Sequence, residues 1–242
     1  MTLRRCYIRY REDLPDSAPH AIAALGFRAR GTETVPFYGF GDIRSLSDLG
    51  HDTGLAGFVG DVWEALDHLH IPRPPSLDYP PSLKAFLGRS IETLPLSEVR
   101  TITHRRLFIK PHKQKLFTGF VTSGTFEDQV RLGPYDDDEL CWVSPPLPFQ
   151  AEYRCCVLRG DILAARHYKG DWSRPLDRNV VLEAVQAYHD APAAYTLDMG
   201  VTTGGQTLLI EVNDGFAFGP YGLPATLYAQ MLEARWQELV VG

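Results

Sequence analysis

The chain has 242 residues, 44% hydrophobic and 22% charged, which supplies a sizeable core and excludes a disordered polypeptide. Its formal charge of -6 gives no general electrostatic reason to expect nucleic acid as a partner, although a locally basic site stays open. There is no apolar run of membrane-span length and no charged-then-apolar leader, so a cytoplasmic protein without membrane contact is expected.

Residues 1–100 read as a small α/β N-terminal lobe. Alternation over 6–10 predicts a strand, 20–25 a helix, 34–40 and 54–59 further strands, and 62–70 an amphipathic helix with Val62, Leu66 and Leu69 on one face. The proline-rich stretch 71–81 excludes regular helix and serves as a linker or a wrapping loop. Ser82 then caps a short helix towards Leu87.

Residues 101–242 change in texture to strand pairs. Strands are predicted at 107–110, 116–122 and 140–143, with a helix at 125–132 between the last two. Segments 152–158 and 162–168 form a hairpin, 179–187 a helix, and 195–201 with 207–212 a second hairpin around Gly204 and Gly205. A helix over 224–239 closes the chain. Cys6, Cys141, Cys155 and Cys156 show no zinc-like spacing, and adjacent cysteines on a strand point to opposite faces, so reduced, mostly buried thiols are expected.

The second hairpin carries the acids. A two-residue turn at Gly204-Gly205 pairs Thr203 with Gln206, and counting outward sets Asp198 opposite Glu211, with Asn213 on the same face. Opposed carboxylates repel, and a divalent cation is a natural reason to hold them together; a polar outer hairpin face is the plainer alternative. Oxygen donors without histidine or thiolate point to magnesium or manganese rather than zinc.

Phe108-Ile109-Lys110-Pro111 ends an apolar strand with a lysine, where a cation can meet phosphate oxygens. It sits in a basic run, Arg100, His104, Arg105, Arg106, Lys110, His112, Lys113 and Lys115, which suits a short polyphosphate or an exposed strand edge. Lys113 and Lys115 make a phosphate-covering loop plausible. In the first hairpin a three-residue loop at 159–161 pairs Arg154 with Arg166 on one face, whereas a two-residue loop would split them. Paired guanidiniums need an anion between them, from a phosphate or from neighbouring acids such as Glu152; Lys169 is a further phosphate or substrate contact. His167 and His189 have no serine or cysteine partner that would make a triad.

A strand lysine in Phe-Ile-Lys-Pro followed by Lys-Leu-Phe-Thr-Gly, a Glu-x-Arg strand with a second arginine on its partner, an aspartate, and finally Glu-x-Asn resemble, in this order, the ATP-grasp superfamily. The resemblance is closest to the small clade named for two arginines and a lysine, and it covers residues 100–220 best. It implies an α+β/α/β fold in which two α+β lobes clamp ATP behind the small N-terminal lobe. By the same resemblance Lys110 lies on the phosphates, with Cys141, Trp142, Val143 and Ser144 meeting adenine through backbone groups and Leu209 beside the nucleotide. Asp198, Glu211 and Asn213 would hold one or two magnesium ions, and Arg154 and Arg166 would stabilise phosphate charge.

The implied activity is an ATP-dependent carboxylate-amine ligase acting on small-molecule or peptide carboxylates and amines through an acylphosphate. A small-molecule kinase and a non-catalytic ATP-binding module remain open. Two departures bear on the substrate: His112-Lys113-Gln114-Lys115 replaces the usual glycine-rich phosphate loop, and the N-terminal lobe is minimal. The loop 215–219 lines an acceptor site or is an ordinary packed loop.

Overall fold

The computed structural model describes residues 2–13, 15 and 18–241. Three sheets organise them. In the first, parallel strands β1 (Arg5–Arg9), β2 (Glu33–Phe37) and β3 (Thr53–Ala56) lie in the order β2-β1-β3. Parallel neighbours need crossover connections, and α1 (Pro19–Ala29) makes the first. A short α2 (Phe40–Ile43) and α3 (Val59–His68) complete the connections of this lobe.

Its core is closed from the other end of the chain. The helix α7 (Ala225–Val241) buries Met231, Leu232 and Trp236 against Phe27, Leu55 and Leu66. The Trp236 indole donates to the Gly50 carbonyl at 2.8 Å, and Glu233 accepts from the Leu3 amide at 2.6 Å. Gly26 permits the crossing of α1 and α7, since a Cβ there would sit 1.9 Å from the Ala225 carbonyl oxygen.

The second sheet, antiparallel, has the order β11-β10-β8-β9, built from β8 (Phe149–Leu158), β9 (Asp161–Gly170), β10 (Ala194–Thr202) and β11 (Thr207–Asp214). Alternation divides its faces. Cys155, Val157, Leu197, Met199 and Leu209 pack beneath α6 (Arg178–Ala187) and a 3-10 helix, Pro81–Phe86, while Arg154, Asp198 and Glu211 occupy the other face. Each fully buried aliphatic of this kind contributes roughly 1.5–3 kcal/mol.

The third sheet, order β4-β7-β5-β6, joins β4 (Glu92–Pro95), β5 (Phe108–Pro111), β6 (Phe120–Val121) and β7 (Leu140–Ser144). Ile109, Cys141 and Val143 pack on α4 (Leu96–Ile102) and α5 (Phe126–Leu132), leaving Lys110 and Trp142 on the opposite face. β4 precedes residue 100 and α4 runs across it, yet both belong with this sheet. The strand expected over 116–122 shrinks to two residues: the chain turns at Lys115, whose φ is 66°, and Pro111 has no β6 partner beside it. All four cysteines are buried and free, and burial pushes the Cys155 thiol up to about 12.

Both register counts reach the right pair by a different path. Arg159 and Gly160, with φ of 51° and 86°, form a two-residue turn that pairs Leu158 with Asp161, so the expected three-residue loop is corrected. A β-bulge between Cys156 and Val157 then restores the pairing of Arg154 with Arg166. In the other hairpin Thr202 bonds to Gln206 and Val201 pairs with Thr207, one residue off the expected turn. A bulge beside Met199, which leaves Ile210 as the extra residue, sets Asp198 opposite Glu211.

Candidate active site

The registers place Glu211, Asp198, Arg154 and Arg166 in one cross-strand row over the four strands of the second sheet, two acids followed by two arginines. Arg154 Nε and Nη2 donate to the two oxygens of Asp198 at 2.8 and 2.6 Å, and Nη1 donates to the Gly219 carbonyl at 3.1 Å. The guanidinium lies 4.8 Å from the Tyr221 ring, which itself stacks on Tyr168 at 4.9 Å. Arg166 makes no such pair: its Nε is buried without a hydrogen-bond partner.

Lys110 reaches across from the third sheet and donates to Glu211 Oε2 at 2.6 Å and to Asp78 Oδ1. The Asn213 amide nitrogen donates to Asp198 Oδ2 and Glu211 Oε1, each at 3.2 Å, so the three predicted residues meet on one face, Asn213 through its NH2 group. Burial works to raise the Glu211 carboxyl, but the Lys110 ammonium overrides it and holds Glu211 below its ordinary value. Burial pushes Asp198 up against the pull of Arg154. For Lys110, burial opposes the charge, while Glu211 and Asp78 together raise its pKa.

Two cavities meet at Glu211. One, of about 330 Å³, is lined by Tyr79, Arg89, Ser144 and the following Pro145–Leu147 segment, Lys169 and Ile210. The other, about 650 Å³, lies between the N-terminal lobe (His20, Gly57–Gly60) and Lys115, Arg154, Asn213, Phe218 and Tyr221. Glu211 lines both.

The predicted residues divide accordingly. Of the four expected to meet adenine, Ser144 alone lines the smaller cavity; β7 is an interior strand bonded to β4 and β5, so the backbones of Cys141, Trp142 and Val143 are occupied. Leu209 is fully buried beneath the sheet, offering its carbonyl to Arg89 at 2.9 Å. Lys169 pairs with Glu152 at 2.6 Å on the wall of the smaller cavity, Lys115 lines the larger, and Lys113 pairs with Glu139 at 3.1 Å away from both. Arg100, the start of the basic run, bonds the carbonyls of Leu132 and Tyr135 at 2.8 and 2.6 Å and holds α4 to the segment after α5. Of the loop 215–219, Ala217, Phe218 and Gly219 line the larger cavity, while Phe216 is buried in the core of the N-terminal lobe.

Sequence reasoning missed Asp78 and Tyr79 in the proline-rich stretch and Arg89 just after the 3-10 helix, because neither segment carries a motif and both reach the site only through tertiary crossing. Asp78 forms a bridge with Val212, and Arg89 bonds the carbonyls of Leu209 and Ile210 beside the bulge.

The donor set fits a divalent cation beside a polyphosphate: the carboxylates of Asp198 and Glu211 and the side-chain amide of Asn213 are hard oxygen donors, and Arg166 Nε stands buried and unpaired on the strand beyond Arg154. Among the described residues no three His, Cys, Asp or Glu cluster for a metal. The described helices include none long and apolar enough to cross a membrane.

Structural comparison places this architecture. D-alanine–D-alanine ligase from Bacillus anthracis, in complex with ATP, superposes with a TM-score of 0.57 over 98% of this chain and 97% of that one, at 16% identity. N5-carboxyaminoimidazole synthase from Aspergillus clavatus gives 0.62 over 98% and 79%, at 10% identity. The D-cycloserine synthetase DcsG gives 0.61 over 96% and 99%, at 13% identity. No curated protein matches the sequence. The ATP-grasp domain family numbered second in the clade named for two arginines and a lysine matches residues 86–231, more than half of the chain, and the protein belongs to it.

Proposed function

We propose that the protein is an ATP-dependent ligase that activates a carboxylate as an acylphosphate for attack by an amine. The observation that carries this reading is Glu211, standing at the junction of two cavities with Lys110 on one side and Arg154 two strands away on the other. A nucleotide in the smaller cavity would direct its phosphates towards that junction, and an acceptor in the larger one would approach from the N-terminal lobe. The ATP-grasp membership, and neighbours whose names describe ligation, support the same assignment.

In this reading Lys110, Arg154 and Arg166 neutralise phosphate charge, and Asp198, Glu211 and Asn213 hold magnesium. The cation would supply charge neutralisation at the transferring phosphate. No side chain is required as a nucleophile, since phosphoryl transfer depends on positioning and electrostatic stabilisation. Phe58, Phe218, Tyr221 and Tyr228 wall the larger cavity and would keep water from a reactive acyl group.

The test uses a carboxylate substrate labelled with heavy oxygen. Acylphosphate formation followed by amine attack leaves one labelled oxygen in the released inorganic phosphate. A kinase instead leaves the phosphoryl group on the product, and that result would refute ligation.

A further inference from the structure

Asp78 lies outside the family match, in the segment where the sequence shows only prolines. It is 4% exposed, and it is held at both ends. Its carbonyl accepts from the Val212 amide at 2.8 Å, beside Glu211, and its φ of 29° marks a turned backbone that this bond secures. Its Oδ2 accepts from Ser76 Oγ at 2.6 Å and from the Trp142 indole at 3.3 Å, while Oδ1 accepts from Lys110. Trp142 is itself pinned, stacked on His112 at 3.8 Å and edge-on to Tyr79 at 5.2 Å.

The two acids on Lys110 therefore differ. Glu211 is shared with Asn213, lines both cavities and belongs to the proposed cation site, so it is the acid with other work to do. Asp78 lines neither cavity, and its second oxygen is filled by Ser76 and Trp142, which are themselves held by Gln114 and by His112 and Tyr79. A lysine has a flexible four-carbon stem and is pre-organised only by what it is bonded to. We infer that Asp78 is a positioning residue of the nucleotide site, keeping the Lys110 ammonium in the cleft whichever partner Glu211 takes. The inference rests on the reading of Lys110 as a phosphate contact.

Calorimetric binding of ATP and of AMP to the full chain tests it, in the wild type and in a Lys110→Met background. Asp78→Asn keeps the size and an oxygen for Ser76 and Trp142 but loses the charge. In the wild-type background it is expected to weaken ATP about tenfold, the scale of one charge-assisted hydrogen bond, and to leave AMP unchanged. In the Lys110→Met background it is expected to weaken ATP no further. Equal losses for ATP and AMP, or an undiminished loss without Lys110, would overturn the inference and leave Asp78 a fold residue. Should Asp78→Asn not fold, Trp142→Phe removes one of its anchoring donors and decides the question. A smaller ATP-only loss supports the inference, and no loss or an equal loss in AMP overturns it. A wild type that binds neither nucleotide fails earlier, because it removes the nucleotide site itself.

Discussion

Arg154 grips both carboxylate oxygens of Asp198, at 2.8 and 2.6 Å, with the two residues 8% and 3% exposed. Directly across the sheet Glu211 is neutralised by Lys110, so both acids of the row are answered by cations of the same protein. Such pairing lets a charged site stay folded in the absence of ligand. It also means that a cation or phosphate entering the cleft exchanges one set of partners for another.

Removing one member of the buried pair leaves an uncompensated charge. Arg154→Met is expected to cost about 3–5 kcal/mol of unfolding free energy, and the double variant Arg154→Met/Asp198→Leu much less than the sum of its single changes. Urea unfolding of the four proteins measures the coupling. Additive costs would show that the pair is not a unit.

Arg166 should behave in the opposite way. Its Nε has no partner to lose, so Arg166→Ala is expected to change stability by less than about 1 kcal/mol. If it meets the transferring phosphate, kcat/KM falls on the order of 10²-fold or more. Unfolding and steady-state kinetics on one preparation separate the two effects, and a large stability loss with normal kinetics would remove Arg166 from the site.

His20, on the wall of the larger cavity, is 6% exposed with Nε2 unpartnered. Burial, then Arg9 and Arg11, hold its pKa below the ordinary 6.5. The unfolded chain therefore takes up this proton first, so the stability linked to His20 is complete above about pH 6.5 and is lost as pH falls from there towards the lower folded value. Wild type should lose stability over that window with a slope of at most about 1.4 kcal/mol per pH unit from this group, and His20→Leu should be flatter. Parallel curves would contradict the assignment.

Gly26→Ala tests whether α7 is part of the N-terminal lobe. The added Cβ meets the Ala225 carbonyl at 1.9 Å, an overpacking expected to cost about 1–3 kcal/mol and to lower the thermal midpoint. An unchanged midpoint would show that α7 docks loosely.

The sequence made the row of acids and arginines legible because strand alternation and cross-strand pairing are local rules. What it hid is how the rows align. In both hairpins the turn lies one residue from where glycine placement suggests, and a bulge, at Leu163 opposite Cys156 and Val157 and at Ile210 opposite Asp198 and Met199, restores the pair. A bulge without glycine has no sequence mark, so the count succeeds through two offsetting displacements. Asp78 and Arg89 were hidden for another reason: their partners Lys110 and Leu209 are 32 and 120 residues away, and no periodicity encodes such contacts. Cys141, Trp142 and Val143, expected at adenine, stand apart from the smaller cavity because neighbouring strands already use the backbone of β7, and the segment from Ser144 onward lines it instead.

The most direct measurement is ADP release with magnesium and ATP across a panel of amino acids and short peptides, with product masses recorded and Lys110→Ala as control. The expected result is ADP that depends on a particular pair of substrates, one product lighter by a water than the two together, and no turnover in the variant. A phosphorylated product, or turnover that survives Lys110→Ala, would contradict ligation at this site.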